Sequence, residues 1–294
     1  MYVFLGREQL PIYVGKSVNV RRRVQQHLSR PPSSERHFRE MAAGVFDLRS
    51  VSTGTELHAL VLEDQLIKEL RPAYNRRQKK FLNQRYLELS SRGPAGLSVV
   101  SQAKGTFGRS VFGPFSDEYY AARLAALTSR YFGLGSRTPA REEPPEDLPA
   151  ARAFLTGESA EVLERIRGEV SRHRATLAFE LAAAARDRLR FCESFLAHQR
   201  FFLDFKHRVL LVEDRARASR GYFLFVRGRL RHHGRRRPAP AELRRLGASD
   251  GGGPPESDLY LYDRASLVRA WIAARAETRG WAVLGSPRPG TQGV

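Results

Sequence analysis

Glu63 stands out in the sequence as a residue placed to do chemistry. Thr53-Gly54-Thr55 predicts the start of a helix that runs over Glu56–Leu70 and is ended by Arg71-Pro72. The residues one turn away from Glu63 on this helix are all apolar: Ala59, Leu60, Leu66 and Ile67. A carboxylate in an apolar seam is costly unless a cation or hydrogen bonds compensate its charge. Two interpretations stay open, an internal ion pair with an arginine and a divalent metal ion, because hard cations bind carboxylate oxygens.

Arg23 and His27 are a second group of polar side chains that could act together. Ser17 or Asn19 can cap a helix that continues to about Ser29, and on this helix Arg23 and His27 are one turn apart. A cluster of charges on a helix is usually only a solvated face. The pattern alone therefore does not establish a site.

Tyr13 belongs to the second of two short runs that are typical of strands. Tyr2–Leu5 and Pro11–Val14 are joined by Gly6-Arg7-Glu8-Gln9, which predicts a hairpin. Tyr13 lies on the opposite side of the pleat from its neighbours Ile12 and Val14. A tyrosine in a strand is more often a packing residue than a catalytic one, and both interpretations are kept.

These patterns together resemble a known family. The runs Tyr2-Val3-Phe4 and Pro11-Ile12-Tyr13-Val14-Gly15-Lys16-Ser17, about ten residues apart, are similar to the paired motifs of the GIY-YIG nucleases. Arg23, Glu63 and Asn75 follow in the order of that family's helix arginine, helix glutamate and terminating asparagine. The runs at residues 16–21 and 62–69 look closest to the bacterial UvrC/Cho excision-repair branch. His27 occupies a position where Cho-type proteins often carry histidine, which favours a Cho-like chain.

The resemblance implies a role for each matching side chain. Glu63 would hold a single divalent metal, Mg²⁺ or Mn²⁺, against the scissile phosphate. Arg23 would neutralise charge that builds on the phosphoryl oxygens in the transition state. Tyr13 would orient or deprotonate the attacking water with help from Tyr2, Lys16 or His27. Which of these groups takes the proton stays open.

The resemblance also implies two supporting residues and includes one departure. Gly15 is expected to allow a tight strand exit, and Asn75 is expected to secure the loop after the helix. The family's first motif has a glycine two residues before its tyrosine, whereas Tyr2 follows only Met1. The first strand is therefore expected to be short, or the natural start lies upstream.

The composition predicts an anionic partner. Lysine and arginine number 50 against 31 aspartate and glutamate, which gives a formal net charge of +19. Such basic proteins bind nucleic acid or anionic membranes, and the sequence has neither a membrane-spanning apolar run nor a signal-peptide pattern. Nucleic acid is the favoured partner, without a membrane. The single cysteine, Cys192, excludes an intrachain disulfide framework, so the chain is expected to be cytoplasmic and associated with the nucleoid.

Residues 177–189 resemble the UVR motif, a helical hairpin through which UvrC docks on UvrB. The sequence predicts two antiparallel helices between Ala150 and Phe205 that break near Arg174–Leu177. Leu181, Ala185 and Leu189 are expected to line one side of this hairpin. The resemblance places partner binding at Phe179, Glu180, Arg186 and Asp187. An ordinary alanine-rich packing hairpin is the alternative.

The C-terminal region concentrates positive charge. Residues 205–245 contain 13 lysines and arginines against three acidic residues, and phosphate contacts from such a stripe raise affinity without reading sequence. A disordered basic tail is the alternative, and the neighbouring Tyr222, Phe223 and Phe225 also suit a hairpin core. The residues predicted to contact the DNA backbone are Arg21, Arg22, Arg229, Arg231, Arg235, Arg236 and Arg237.

The predicted fold class is α/β, in five segments. Residues 1–80 are expected to be a small GIY-YIG nuclease domain, a three-stranded antiparallel sheet flanked by helices in ββαβα order. A UvrC-like α/β extension over 81–136, with strands at Tyr86–Ser90 and Leu97–Ser101 and a helix at Asp117–Phe132, precedes a linker over 137–149. The mostly helical middle includes the UVR-like hairpin over 150–205. Residues 206–294 are expected to be a basic α+β region with strands at Val209–Glu213 and Tyr222–Val226, a last strand and helix over Leu259–Arg279, and a disordered tail.

The function that the resemblance implies is a metal-dependent DNA endonuclease of nucleotide excision repair. It would cut damaged double-stranded DNA 3′ to the lesion in a complex with a UvrB-like protein, with UvrA acting upstream. Because no acidic run like that of the RNase H-like nuclease of UvrC follows Phe205, only this one incision is expected. Three alternatives stay open: a stand-alone structure-specific GIY-YIG endonuclease, a non-catalytic DNA-binding repair adaptor, and a fragment of a longer fusion.

Overall fold

The computed structural model describes residues 1–29, 36–75, 83–90, 96–102, 110–135, 147–216, 220–248 and 257–284. The chain divides into two compact units. The first unit combines Met1–Phe81 with Phe205–Val294, and the second unit is Leu82–Asp204. Most of the predicted linker and the predicted tail after residue 284 lie outside the described residues. The five-segment division therefore stays a prediction, to which the structure adds that the two ends of the chain share one unit.

Residues 2–70 form a three-stranded antiparallel sheet with three helices, which confirms the predicted fold of this region. The strand order is β2-β1-β3. The helix α2 was not predicted. The elements in chain order are β1 (Tyr2–Leu5), β2 (Pro11–Gly15), α1 (Val20–Leu28), α2 (Arg36–Ala43), β3 (Asp47–Ser50) and α3 (Glu56–Leu70).

The side chains of this sheet alternate between two cores. Val3 and Val14 pack with Ile67 and its apolar neighbours on α3. Tyr2 and Phe4 pack with apolar residues of α1 and α2. Because successive strand residues point to opposite faces, the same two strands serve both cores.

Local capping explains where the two functional helices begin. Asn19, and not Ser17, caps α1: its side chain accepts a hydrogen bond from the Arg22 backbone N–H at 2.9 Å. Thr55 caps α3 in the same way. The last residue before Pro72, Arg71, is left-handed at φ 47°, which ends α3 where the sequence predicts.

The second unit contains a sheet and a helical region. The strand order is β5-β4-β6. The strands expected at Tyr86–Ser90 and Leu97–Ser101 are confirmed within one residue, whereas β6 was not predicted. The elements are β4 (Arg85–Ser90), β5 (Gly96–Val100), β6 (Val111–Phe115), α4 (Glu118–Phe132), α5 (Leu148–Leu155), α6 (Glu161–Ala175) and α7 (Phe179–His207), of which α7 continues into the first unit.

The break between α6 and α7 lies where the sequence predicts it, but this region contains three helices and not the predicted two, because the chain breaks again between α5 and α6. The predicted packing side of the hairpin is partly wrong. Leu181 is 56% exposed, whereas Ala182 and Ala185 are buried together with Cys192. These three positions repeat at helical spacing, and Cys192, with the partly buried Leu189, packs in the core of the second unit. Small side chains therefore occupy the tight side of the hairpin, and the larger Leu181 is left at the surface.

The C-terminal region, residues 205–284, contains a four-stranded antiparallel sheet in the order β10-β7-β8-β9, with two helices. The expected hairpin strands are confirmed. The last strand lies beyond the predicted Leu259–Arg279, because α9 takes most of that range. Phe223 and Phe225 are fully buried, which confirms the hairpin-core interpretation. The elements are β7 (Val209–Asp214), β8 (Gly221–Val226), β9 (Arg229–Gly234), α8 (Pro240–Ala248), α9 (Asp258–Ala273) and β10 (Arg279–Leu284).

No helix in the described ranges has both the length and the apolar character that a membrane crossing requires.

Candidate active site

Two tyrosines face each other on the adjacent strands β1 and β2. Tyr2 pairs with Gly15 and Phe4 pairs with Tyr13 in the strand register, so the two tyrosine rings lie on one face with their centroids 6.1 Å apart. Tyr2 is almost fully buried and Tyr13 is half-buried. The alternation of the strands thus brings both motif tyrosines to one place.

His27 joins the tyrosines from α1. Its imidazole is buried, and its Nε2 lies 3.0 Å from the Tyr2 hydroxyl. The ring centroid of His27 is 5.3 Å from that of Tyr13, and the ring meets Phe4 edge-on at 5.7 Å. The histidine is therefore held among aromatic rings, and a hydrogen bond links it to the Tyr2 hydroxyl.

The electrostatics of the cluster keep Tyr2 protonated. Burial raises the pKa of Tyr2 above its ordinary value, and Tyr13 raises this pKa further, while the hydrogen bond and charge of Arg23 lower it. The net direction is upward. At neutral pH the Tyr2 hydroxyl is therefore a hydrogen-bond donor and not a base.

Arg23 lies beside this cluster at the protein surface. The residue is exposed on α1, and one of its guanidinium nitrogens lies 3.4 Å from Gln26 Oε1. Its positive charge lowers the pKa of Tyr2, against the larger effect of burial. A cation at this position, on the rim of the tyrosine pair, can stabilise an anion bound there.

The structure gives a different reason for a glycine at position 15 from the one that the sequence suggests. The sequence predicts a tight strand exit, but Gly15 has no left-handed backbone angle and pairs regularly with Tyr2. A Cβ at this residue would lie 2.6 Å from the Tyr2 hydroxyl and 2.9 Å from a Tyr13 ring carbon. The glycine is needed because both tyrosines cross directly over the backbone of β2.

Asn75 fastens the chain after α3 to the edge of β2. Its buried side-chain amide donates to the Val14 carbonyl and accepts from the Val14 N–H, both at 2.8 Å. The side chain thus mimics the backbone of a neighbouring strand. It holds the residue between Tyr13 and Gly15 in register, which is consistent with the supporting role expected from the sequence.

Glu63 lies on α3, the helix that packs against β2. Its side chain is 8% exposed, in agreement with the apolar surroundings expected from the sequence. The described residues contain no group of three or more His, Cys, Asp and Glu side chains placed to hold a metal ion. A single carboxylate still suits Mg²⁺ or Mn²⁺, because these ions keep several waters and use one or two carboxylates together with substrate phosphate oxygens.

The residue after Glu63 belongs to a buried ionic cluster that sequence reasoning missed. Asp64 pairs with Lys68 one turn later on α3, and its second oxygen accepts a hydrogen bond from Arg264 Nε on α9 at 3.0 Å. Lys68 also lies 3.0 Å from Asp263. The signal in the sequence was the spacing of Asp64 and Lys68, which is typical of a helical ion pair, but the partner on α9 is 200 residues away.

A second group of ionic contacts between α3 and the C-terminal region is centred on Arg279. Its guanidinium contacts Glu56 at 3.2 Å, Asp214 at 3.2 Å and the Trp271 carbonyl at 2.7 Å. Glu56, at the start of α3, also accepts from the Trp271 indole at 3.1 Å. The helix that carries Glu63 is therefore held to the C-terminal region at both of its ends.

The cations predicted to contact DNA lie on or beside two elements of the first unit, α1 and β9. On α1, Arg21 and Arg22 are exposed, as is Lys16 before it. The run predicted as a stripe or a disordered tail is partly a strand, because Arg229 and Arg231 lie half-buried in β9. Arg235, Arg236 and Arg237 follow it and are exposed. The disordered-tail interpretation is wrong for this strand.

The residues predicted to bind a partner lie at the start of α7 in the second unit. Phe179 is 67% exposed, and Leu177 before it is 71% exposed with a left-handed φ of 55°. Glu180, Arg186 and Asp187 are exposed as well. The tip of the hairpin therefore presents apolar side chains beside charged ones.

Comparison with known proteins identifies similar sequences. The family model of the UvrC-like GIY-YIG domain matches residues 1–76. The UvrABC system protein C of Symbiobacterium thermophilum is 29% identical over 224 residues, which cover 68% of this chain and 36% of that protein. The proteins of the same name from Oenococcus oeni (28% over 211 residues, 64% of this chain and 34% of that protein) and Natronomonas pharaonis (29% over 221 residues, 66% and 37%) are similar to the same degree.

These alignments are much longer than the family-model match, so the likeness extends beyond residue 76. The matched region is little more than a third of the length of each relative. No solved structure matches the chain.

Proposed function

We propose that this chain, whose residues 1–76 are a UvrC-like GIY-YIG domain, is a metal-dependent DNA endonuclease of nucleotide excision repair. It hydrolyses one phosphodiester bond 3′ to a lesion while a UvrB-like protein holds the damaged duplex, after UvrA has acted upstream. Its place would be the cytoplasm, at the nucleoid. The observation that carries the proposal is the convergence of Tyr2, Tyr13, Arg23 and His27 at the end of β2.

The tyrosine cluster would position the attacking water. Tyr13 is the less buried of the two tyrosines and can reach solvent. Tyr2 stays protonated, and it donates to or accepts from His27 at 3.0 Å. We assign Tyr2 and His27 to holding Tyr13 and the water in position. Lys16, exposed directly after Gly15, adds positive charge that favours a deprotonated group nearby.

The scissile phosphate would lie between Arg23 and Glu63. Arg23 neutralises the charge that develops on the phosphoryl oxygens. Glu63 would hold a Mg²⁺ or Mn²⁺ ion, which supplies Lewis-acid stabilisation of the departing 3′ oxygen when bound. Burial of Glu63 suits this use, because a carboxylate that is mostly shielded from water attracts a cation more strongly than an exposed one does.

The hairpin tip in the second unit is proposed as the site that docks on the UvrB-like protein. Leu177 and Phe179 are exposed apolar side chains flanked by the exposed charges of Glu180, Arg186 and Asp187. Exposed apolar side chains that cluster at one place mark interaction sites. The charged flanks would set the orientation of the partner.

The experiment that tests the nuclease proposal is incision of a defined lesion duplex with Mg²⁺ or Mn²⁺, with and without UvrA and UvrB. We expect one cut 3′ to the lesion, seen only with both partners. Glu63→Gln should reduce the rate by at least about 10²-fold, the scale of losing one strong electrostatic contact to a transition state, while DNA binding stays within a few-fold. Glu69→Gln is the matched control, because Glu69 is exposed on the same helix.

Each result has a distinct meaning. Cutting without partners would favour the stand-alone nuclease, and binding without any cutting would favour the adaptor. Equal cutting by Glu63→Gln and Glu69→Gln would remove Glu63 from the site.

The partner proposal is tested separately by measuring affinity for UvrB. Phe179→Ser should weaken binding about tenfold or more, because burying a phenylalanine side chain contributes about 1.5–3 kcal/mol. Tyr119→Ser is the control, since Tyr119 is 78% exposed on α4 of the same unit. Equal losses for both variants would show that the hairpin tip is not the docking site.

A further inference from the structure

A groove of about 720 Å³ runs beside the tyrosine cluster in the first unit. One wall is the segment after β2, with Lys16 and Ser17, and another is the loop between β3 and α3, over residues 50–55. The third side carries Arg275 and Arg279, which come from the C-terminal region. The groove is thus lined by three stretches that are far apart in sequence.

The groove leads to the proposed nuclease site. Lys16 directly follows Gly15, over which the two tyrosines cross. Ala59 also lines the groove, and it lies one helical turn before Glu63 on the same side of α3. A chain that occupied the groove would therefore continue towards both Lys16 and Glu63.

The charges of the lining are positive on balance. The lining residues include three cations, Lys16, Arg275 and Arg279, and one carboxylate, Glu56. Glu56 is paired with Arg279 at 3.2 Å and accepts a hydrogen bond from the Trp271 indole N–H. Lys16 and Arg275 are both exposed, and the described residues offer no hydrogen-bond or ion-pair partner to either side chain. Two cations are therefore available to a ligand at opposite sides of the groove.

The remaining lining suits a sugar–phosphate chain. Ser50 and Ser52 present exposed hydroxyl groups that can donate to phosphate and sugar oxygens. The hydroxyls of Ser17 and Thr53, by contrast, donate to backbone carbonyls two residues further along the chain. Val18 and Val51 line the groove as well and are exposed, which gives apolar contact for deoxyribose. The lining combines cations, hydroxyl donors and small apolar side chains, which suits a sugar–phosphate strand.

We propose that this groove binds the backbone of the DNA strand that flanks the scissile phosphate, and that Arg275 of the C-terminal region contacts one of its phosphates. The inference rests on the proposed nuclease function and extends it, because one wall of the DNA path then comes from the C-terminal region. The contacts of Arg279 with Glu56, Asp214 and Trp271 hold this part of the C-terminal region against the start of α3.

Binding of a fluorescent DNA duplex by the full chain tests the proposal in the Glu63→Gln background, which prevents cutting. Loss of one phosphate contact reduces the slope of log affinity against log salt by about 0.9. The ratio of parent to Arg275→Ala affinity should therefore change about 3.5-fold between about 50 and 200 mM salt. Arg275→Lys should keep most of the affinity. Arg49→Ala is the control, because Arg49 is exposed on β3 and its guanidinium bonds Gln9 at 3.1 Å instead of lining the groove.

A crosslink gives a second measurement that does not depend on charge. Ser52→Cys can carry a photoreactive label, and Ser171→Cys on exposed α6 serves as its control. The native Cys192 will not react, because it is fully buried and burial raises its pKa to about 11. We expect DNA crosslinks from position 52 and none above background from position 171.

The outcomes separate this proposal from the nuclease proposal. If the chain binds DNA but cuts nothing with any partner, the nuclease proposal fails while the salt and crosslink data still decide the groove. In a chain that cuts, Arg275→Ala should raise KM several-fold with kcat within twofold. Equal binding by Arg275→Ala and Arg49→Ala, or equal crosslinking from positions 52 and 171, would overturn the groove as the DNA path.

Discussion

Replacing Gly15 by alanine should disable the tyrosine cluster without touching any reactive group. The added Cβ would lie 2.6 Å from the Tyr2 hydroxyl oxygen and 2.7 Å from the Tyr2 Cζ. Ordinary contact needs about 3.4 Å, so Tyr2 must move by about 0.8 Å, a large step in a close-packed site. Tyr2 is 1% exposed and its neighbours Phe4 and His27 are no more exposed, so they leave it no open space.

The expected cost follows from that movement. Overpacking of this size destabilises by about 1–3 kcal/mol. A shift of about 0.8 Å also threatens the 3.0 Å contact between Tyr2 and His27, and a lost hydrogen bond costs about 0.5–1.5 kcal/mol. We expect Gly15→Ala to lower the free energy of unfolding of the first unit by about 2–4 kcal/mol and to reduce incision by at least tenfold.

Tryptophan fluorescence during urea unfolding reports on the affected unit. Trp271 and Trp281 are the only tryptophans of the chain, and both lie in the first unit. Gly168→Ala is the matched control: this helical glycine in the second unit has nothing within 4 Å of a Cβ, and alanine there should stabilise by about 0.5–1 kcal/mol. A Gly15→Ala protein with unchanged stability and full incision would refute the close-approach reasoning.

Two further predictions concern the contacts that hold the C-terminal region. Asp64→Asn should lower the unfolding free energy of the first unit by about 3–5 kcal/mol, because it leaves Lys68 and Arg264 buried without their shared carboxylate; a loss below 1 kcal/mol by the same fluorescence assay would contradict this. The pKa of His233 lies below its ordinary value because of burial first, and then because of His58 and His232. The unfolded chain therefore binds a proton here more readily than the folded one, so stability should fall as the pH drops through about 6.5. His233→Gln should make that fall shallower in urea titrations between pH 7 and 5, and identical curves for the two proteins would exclude His233 as a contributor.

Much of the local structure could be predicted because it depends on neighbours in sequence. The bounds of α3 follow from the Thr55 cap and from Pro72, and these signals act within one helical turn. The placement of Tyr2 and Tyr13 on one face follows from strand alternation and the hairpin between them. The helix α2 was missed although Ser33 and Ser34 precede it in the sequence and Gly44 follows it directly, which are ordinary start and stop signals.

The packing of the hairpin in the second unit could not be predicted to the residue. The sequence allowed several apolar stripes on an alanine-rich helix. The predicted stripe contained Leu181, Ala185 and Leu189. The structure buries Ala185 of that stripe together with Ala182, and it leaves Leu181 exposed. Which stripe is buried depends on the shape of the opposing helices, and a single sequence does not contain that shape.

By itself, the sequence determined the order of the site residues and the elements that carry them. Only the tertiary structure shows why residue 15 must lack a side chain and which residues of the C-terminal region pair with α3. Gly15 is explained by a ring that crosses it from another strand. The residues that pair with α3 are Arg264 and Arg279, which lie about 200 residues from their partners Asp64 and Glu56. Ion pairs across such separations leave no periodic trace in the chain, because they form only after both regions have folded against each other.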